Sequence, residues 1–210
     1  FRPDSPESED GYDSVEWAAG LPWSTGKVGT FGASYVGWTQ WELAHTRPPH
    51  LGAMMPQAIA ANLLDRELSG VLRLGRVLWW TANSLSVDLR QRAGAKWGPR
   101  PLDEAARTWT ERDRSKWLWY LPLKELPDDV IFGLGEHWRH WLDDHVTDYF
   151  GYEQKHRQVS VPALITTSWY DQQIGAIKNF TGMVENGRTE TARNEARLIV
   201  GPWKHTGDEW

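Results

Sequence analysis

Short, unbroken apolar runs mark both ends of this chain. The clearest covers residues 161–167 (VPALITT), and another covers residues 196–200 (ARLIV). Apolar residues also lead into a glycine-rich turn at residues 27–31 and recur beside proline and glycine at residues 51–56. Runs this short, without polar alternation, are typical of parallel strands that are covered on both faces. The pattern predicts an α/β protein with a mostly parallel sheet.

Between these strand regions the hydropathy pattern changes its period. From about residue 59 to residue 156, apolar side chains recur at helical spacings and strand-like runs disappear. We therefore predict a first core segment at residues 1–57, a helical cap at residues 58–156 and a second core segment at residues 157–210. The cap would be inserted between two strands of one sheet.

Proline and acidic residues delimit the beginning of the first core segment. Residues 1–9 are polar and contain two prolines, which predicts a loop. Asp10 or Asp13 is the predicted N-cap of a short helix that ends near Gly20.

The first predicted strand runs directly into a turn with a serine at its apex. The turn reads F-G-A-S-Y-V-G, with Ser34 between Gly32 and Gly37. A serine on a strained strand-to-helix turn is the layout of a nucleophile elbow, in which glycines keep the turn and the helix packing free of side chains. The N–H group of Tyr35, at the helix N-terminus, would face a developing oxyanion. Because Val36 replaces the last glycine of the usual G-x-S-x-G pattern, this motif alone leaves open an ordinary helix-capping serine.

Two later residues supply the partners that a nucleophilic serine requires. Asp171 follows the run at residues 161–167, and His205 follows the run at residues 196–200. In α/β-hydrolases a histidine takes the serine proton, a carboxylate holds the imidazole tautomer, and the chain order is Ser, acid, His. Each residue alone is more often structural, but their order and placement after Ser34 favour a catalytic triad.

Three segments carry a family resemblance: GASYVG with the following Gln40 and Trp41, SWYD ending at Asp171, and GPWKH ending at His205. They resemble the catalytic segments of the cocaine esterase / X-Pro dipeptidyl-peptidase family of α/β-hydrolases. Further similarity lies in DGYDSVEW and LPWSTG before the elbow, and in Trp141, His145, Asp148, Tyr149 and Phe150. The resemblance covers most of the chain outside roughly residues 60–135.

The resemblance implies an α/β-hydrolase fold with a helical cap and a serine hydrolase that needs no cofactor. Ser34 would be the nucleophile, His205 the general base and acid, Asp171 its carboxylate partner and the Tyr35 N–H an oxyanion donor. The expected substrate is a small ester or amide, or a short peptide. An esterase or acylase of the cocaine esterase type is the first prediction. An X-Pro dipeptidyl aminopeptidase and an α-amino-acid ester hydrolase are the alternatives.

Aromatic residues flank the predicted triad. The chain contains 15 tryptophans, several-fold above usual usage, and some lie beside the catalytic segments. We predict that Trp169, Tyr170 and Trp203 shape the substrate pocket. The alternative is that they serve packing alone.

The resemblance also implies parts that lie outside these 210 residues. Members of the family have several strands before the position of Phe1, with a tyrosine that supplies a second oxyanion donor, and a β-rich jelly-roll domain after the histidine. We expect an internal portion of a hydrolase that, expressed alone, is poorly soluble or associates with its copies through an unpaired sheet edge. Without the second donor its activity would fall at least about 100-fold. The competing hypothesis is a catalytically incomplete remnant or binding module.

Composition and charge exclude several other classes of protein. The formal net charge is −5 with no block of Lys and Arg, which argues against nucleic-acid and membrane-surface partners. No apolar run approaches the roughly 18 residues of a membrane span, and no signal peptide is visible, so a cytoplasmic location is expected. The chain has no cysteine, which excludes thiol catalysis and thiolate zinc sites.

A histidine cluster in the predicted cap is the one alternative that involves a metal. His137, His140 and His145 lie among acidic residues. Histidines spaced in this way without an H-E-x-x-H motif are usually part of a solvated helix face, and we predict no metal site.

Overall fold

The computed structural model describes residues 6–62, 73–143, 153–171 and 175–205. The strands are β1 (Val28–Ala33), β2 (Leu51–Gln57), β3 (Leu164–Ser168) and β4 (Arg197–Gly201). The α-helices are α1 (Glu7–Ala19), α2 (Tyr35–Ala44), α3 (Leu74–Trp80), α4 (Ser86–Arg92), α5 (Leu102–Thr108), α6 (Arg114–Trp117), α7 (Gly135–Asp143), α8 (Gly175–Asn186) and α9 (Glu190–Asn194). Two π-helical segments, Thr81–Leu85 and Trp109–Asp113, join α3 to α4 and α5 to α6.

The four strands form one parallel sheet in the order β1-β2-β3-β4. Phe31 pairs with Met55, and Thr166 pairs with both Gln57 and Ile199. All four strands therefore end at the same edge of the sheet. The predicted parallel sheet is confirmed, with strand bounds within about three residues of the apolar runs.

The chain divides into two compact units, of which the first, Phe1–Ser69 with Thr147–Trp210, contains the sheet. Helix α2 packs on β1 and β2, α1 packs on α2, and α8 packs on β3. One continuous core joins these elements and includes Val15, Trp38, Trp41, Met54, Ile165 and Met183. Because side chains alternate along a strand, this core covers one face of the sheet.

The opposite face is more exposed than the sequence pattern predicts. Phe31 in β1 is 81% exposed and Ile199 in β4 is 45% exposed, and the strand register places both on this face. The prediction that both faces of each strand are covered is correct for β3, whose residues are mostly buried. It is wrong for β1 and β4. The physical reason is position, because β1 and β4 lie at the two edges of the sheet within the described residues.

The first helix also departs from its predicted bounds. Helix α1 begins at Glu7 and not after an Asp10 or Asp13 cap, and the Asp10 N–H donates to the carbonyl of Pro6 at 2.8 Å. Proline before the first turn and acidic residues within it favour a helix start here. The predicted loop at residues 1–9 is therefore wrong for Glu7 to Glu9. Residues 1–5 lie outside the described part of the chain.

The described residues of the second unit, Gly70–Val146, contain helices α3 to α7 joined by turns and irregular segments, and no strand. Its own core gathers Val77, Leu78, Trp109, Ile131 and Trp138. Its role as a cap stays a prediction, as do the three predicted segment boundaries. Among all the helices described here, none is long and apolar enough to cross a membrane.

A buried histidine makes the stability of the first unit depend on pH. His156 is 1% exposed, packs edge-on against Trp41 and shares a 2.9 Å hydrogen bond with Asn179 Oδ1 through Nε2. Burial lowers the pKa of His156 below its usual value of 6.5, and the Asn179 bond and the charge of Glu153 only partly oppose this shift. The unfolded chain therefore binds a proton on this group more readily than the native protein does.

We expect this histidine to contribute to acid destabilisation. As pH falls from 7 to 5, proton uptake by unfolded His156 should reduce stability by at most about 1.4 kcal/mol per pH unit. A His156→Gln variant should show a flatter dependence of Tm on pH over that window. His140→Gln, which removes an exposed histidine, is the control and should follow the unsubstituted protein. Equal slopes in all three proteins would contradict the expectation.

Candidate active site

The turn after β1 holds Ser34 in a conformation that non-glycine residues rarely adopt. Its φ is 59° and its ψ is −122°, and it immediately precedes helix α2. Such a conformation costs about 1–3 kcal/mol and persists only when the surroundings impose it. The Ser34 N–H donates to the carbonyl of Gln57 at 2.9 Å, and the N–H groups of Gly37 and Trp38 donate to the Ser34 carbonyl at 3.0 Å. These bonds tie the serine backbone to β2 and to α2.

The two glycines of the turn lie where side chains would collide. A Cβ on Gly32, whose φ is 151°, would lie 2.6 Å from a methyl carbon of Val36. A Cβ on Gly37 would lie 2.8 Å from the backbone oxygen of Gln57. Helix α2 therefore lies so close to the end of β2 that only glycine fits at position 37. The glycine that comes one residue later than in the usual motif retains this packing role.

Tyr35 is the first residue of α2, so its N–H lies at the N-terminal end of the helix. The helix dipole adds partial positive charge at this end. The Tyr35 hydroxyl donates to Glu7 Oε1 on α1. This side-chain contact anchors the residue that follows the serine. The proposed oxyanion role of the Tyr35 N–H stays a prediction.

Asp171 and His205 are joined by a hydrogen bond. The Nδ1 atom of His205 lies 2.8 Å from Asp171 Oδ2. The Asp171 side chain is 1% exposed and that of His205 is 30% exposed. With Nδ1–H donating to the carboxylate, Nε2 is the nitrogen that can accept a proton. The two residues that follow the two apolar runs therefore form the acid–histidine pair that a serine nucleophile requires.

Paired strand ends bring the two loops together. Ser168, the last residue of β3, pairs with Gly201, the last residue of β4, and the Trp169 N–H donates to the Gly201 carbonyl at 3.0 Å. A Cβ on Gly201 would lie 2.0 Å from the ring of Trp203. The absence of a side chain at Gly201 thus lets the indole lie against the start of the histidine loop.

The flanking aromatic side chains differ in exposure. Trp169 is 71% exposed and Tyr170 is 73% exposed, whereas Trp203 is partly buried. Exposed aromatic side chains beside the acid loop can contact an apolar group of a ligand. The substrate-pocket role of all three residues stays a prediction.

Ser34 lies at the same edge of the sheet as the acid–histidine pair, because β1, β3 and β4 run parallel. No hydrogen bond joins the Ser34 hydroxyl to His205, two residues that both lie in the described part of the chain. Catalytic hydrogen bonds are often long in proteins without ligand and tighten when substrate binds. The structure therefore joins two members of the predicted triad and places the third on the same edge.

The three histidines of the predicted cap lie only partly within the described part of the chain. Within the described ranges, no group of three His, Cys, Asp or Glu side chains is arranged to hold a metal ion. His137 and His140 lie on α7, and His145 lies outside the described residues.

Gln40 is a site residue whose role the sequence reasoning missed. It lies in α2, is 2% exposed and bonds to the backbone on both sides of Ser34. The sequence sign of this role is a polar side chain between Trp38 and Trp41 on an otherwise mostly apolar helix. In the structure both of these tryptophans are buried.

Comparison with known protein families gives one match that spans nearly the whole chain. The model for "X-Pro dipeptidyl-peptidase (S15 family)" matches residues 1–207. The chain is also similar to the cocaine esterase of Rhodococcus sp. (strain MB1 Bresler), with 27% identity over 98% of this chain and 36% of that protein. The chain therefore spans about a third of the length of this curated relative.

Solved structures show the same fold at lower sequence identity. An aminopeptidase from a marine sediment Thaumarchaeota archaeon matches 97% of this chain and 33% of its own, with a TM-score of 0.61 and 20% identity. An α-amino acid ester hydrolase matches over 97% of this chain and 32% of its own chain, with a TM-score of 0.59 and 19% identity. A CocE/NonD family hydrolase from Staphylococcus aureus matches over 96% of this chain and 30% of its own chain, with a TM-score of 0.53 and 23% identity. These similarities confirm the predicted α/β-hydrolase fold.

Proposed function

Because the chain belongs to the X-Pro dipeptidyl-peptidase (S15) family of hydrolases, we propose that it carries the catalytic triad of a serine hydrolase. The observation that supports this most directly is the hydrogen bond from His205 to the buried carboxylate of Asp171. The strained backbone of Ser34, at the same edge of the sheet, adds a residue of the right chemistry in an elbow.

The proposed reaction proceeds through an acyl-enzyme. Ser34 Oγ attacks the carbonyl carbon of an ester or amide while His205 Nε2 takes its proton. The Tyr35 N–H stabilises the oxyanion, and the imidazolium, compensated by Asp171, returns the proton to the leaving group. A water molecule then attacks the acyl-enzyme by the same steps and regenerates Ser34.

The proposed substrate is a small ester or amide, as in the cocaine esterase to which the chain is similar. The description of the matching family supports a second candidate, an X-Pro dipeptidyl peptidase. The exposed Trp169 and Tyr170 favour a substrate with an apolar group, which fits the first candidate better. A catalytically incomplete remnant remains the competing hypothesis from another class.

A pre-steady-state experiment tests the proposal. The protein that carries this chain, mixed with excess p-nitrophenyl acetate, should release a burst of about one equivalent of p-nitrophenolate before a slower steady phase. Prior treatment with a fluorophosphonate is the control and should remove the burst. Faster turnover of Gly-Pro-p-nitroanilide than of p-nitrophenyl esters would select the peptidase candidate. No burst, no turnover and no covalent adduct by intact mass would support the remnant instead.

A further inference from the structure

The side chain of Gln40 lies buried behind the elbow. It projects from α2 six residues after Ser34 and is 2% exposed. Its Nε2 group donates to the carbonyls of Gly32 at 3.2 Å and Val36 at 3.0 Å, and lies 3.4 Å from the carbonyl of Met55. Its Oε1 accepts from Thr30 Oγ1 at 3.0 Å and from the Met55 N–H at 3.1 Å. Every hydrogen-bonding group of the amide is used.

These contacts have a specific distribution around the serine. Gly32 and Val36 stand two residues before and two residues after Ser34, so the two shortest Nε2 contacts straddle it. The Oε1 contacts instead reach the strands, through Thr30 in β1 and Met55 in β2. One end of the amide thus contacts the elbow, and the other end fixes the amide to the sheet.

We propose that Gln40 is a positioning residue that holds the strained Ser34 backbone in its nucleophilic conformation. A residue with φ of 59° relaxes unless its neighbours are fixed, and the carbonyls on both sides of Ser34 are fixed by one buried donor. Relaxation would move the hydroxyl relative to His205, and misplacement by about 1 Å can cost on the order of 100-fold in rate. This inference rests on the proposed function of Ser34.

Few other side chains can make this set of contacts. Glutamate has the same shape and keeps both acceptor contacts of Oε1, but an ionised carboxylate has no donor for the carbonyls of Gly32 and Val36. Methionine keeps the approximate volume and loses all the polar contacts. Asparagine is shorter by one methylene. Gln40→Glu therefore removes the contacts of Nε2, which are the two with the elbow carbonyls and the longer one with the Met55 carbonyl, and keeps those of Oε1.

Thr30→Val supplies the matched comparison within the same network. It removes one partner of Oε1 and leaves both elbow-facing contacts of Nε2 in place. A second control is Asn179→Leu, which removes another buried amide, one that bonds to His156 and to the carbonyl of Ile59. This variant should destabilise the same unit without removing any hydrogen bond of the elbow.

The experiment measures kcat, KM, the rate of fluorophosphonate labelling and Tm on the protein that carries this chain, with activity assayed well below each Tm. Gln40→Glu should lower kcat and the labelling rate by about 50-fold or more, with KM for a p-nitrophenyl ester changed less than threefold. Thr30→Val and Asn179→Leu should change kcat less than threefold, even where Tm falls. Gln40→Met should repeat the loss without a buried charge.

Three other results would contradict the positioning role of Gln40. Equal labelling rates in Gln40→Glu and the unsubstituted protein would overturn it, as would losses of kcat in Asn179→Leu as large as in the Gln40 variants. If both Gln40 variants fail to fold while Asn179→Leu folds, the residue is structural and the inference is wrong. Failure of the proposed function looks different, because then the unsubstituted protein itself would not be labelled.

Discussion

Replacement of Ser34 by alanine should abolish covalent labelling by a fluorophosphonate and lower kcat for a p-nitrophenyl ester by about 10⁶-fold. The hydroxyl is the only group that the substitution removes. Because serine and alanine both carry a Cβ, the positive φ at this position costs each of them a similar amount, and the fold should persist. The measurements are intact mass after labelling, initial rates on the ester, and a far-ultraviolet circular dichroism spectrum to establish folding.

A matched serine elsewhere in the chain controls for loss of a hydroxyl. Ser86 is fully buried in α4, and its Oγ has no hydrogen-bond partner among the described residues, so Ser86→Ala removes the same atom at little cost. That variant should be labelled at the rate of the unsubstituted protein. If Ser34→Ala were labelled as fast as Ser86→Ala, the nucleophile would lie at another residue and the proposed triad would be wrong.

The sequence alone predicted those parts of the fold and of the candidate site that depend on a local pattern of residues. Four apolar runs indicated four parallel strands, and the residues after the last two runs, Asp171 and His205, are hydrogen-bonded to each other. The end of a parallel strand is a place that sequence can identify, because the strand pattern stops there. Neighbouring parallel strands end at one edge, which is why two residues 34 positions apart could be predicted to meet.

Features set by tertiary context were not predictable in the same way. The exposure of Phe31 and Ile199 depends on which strands lie at the edges of the sheet, and an apolar run carries no information about that position. The start of α1 at Glu7 depends on several weak preferences that the stronger capping signal of Asp10 obscured. The role of Gln40 depends on five contacts spread over two strands and a helix. No short motif encodes such a set.

The proposed acid is tested most directly by Asp171→Asn, which should lower kcat by about 10³–10⁴-fold and leave the fold intact. An asparagine at this buried position offers its carbonyl or its NH₂ group to His205 Nδ1. Where the NH₂ group donates, the imidazole carries its proton on Nε2 and cannot accept the proton of Ser34. The loss should appear in kcat, in the acylation burst and in the fluorophosphonate labelling rate, with little change in KM.

A second carboxylate separates this effect from a general loss of charge. Asp113 pairs with Arg112 on the surface of the second unit, and Asp113→Asn should leave kcat unchanged within about twofold. A loss below about tenfold for Asp171→Asn would make Asp171 a loop-capping residue, and Asp208, which lies outside the described residues, would become the candidate acid. The expected size follows from geometry, because a carboxylate that is 1% exposed and 2.8 Å from Nδ1 fixes which imidazole nitrogen is left to act as the base.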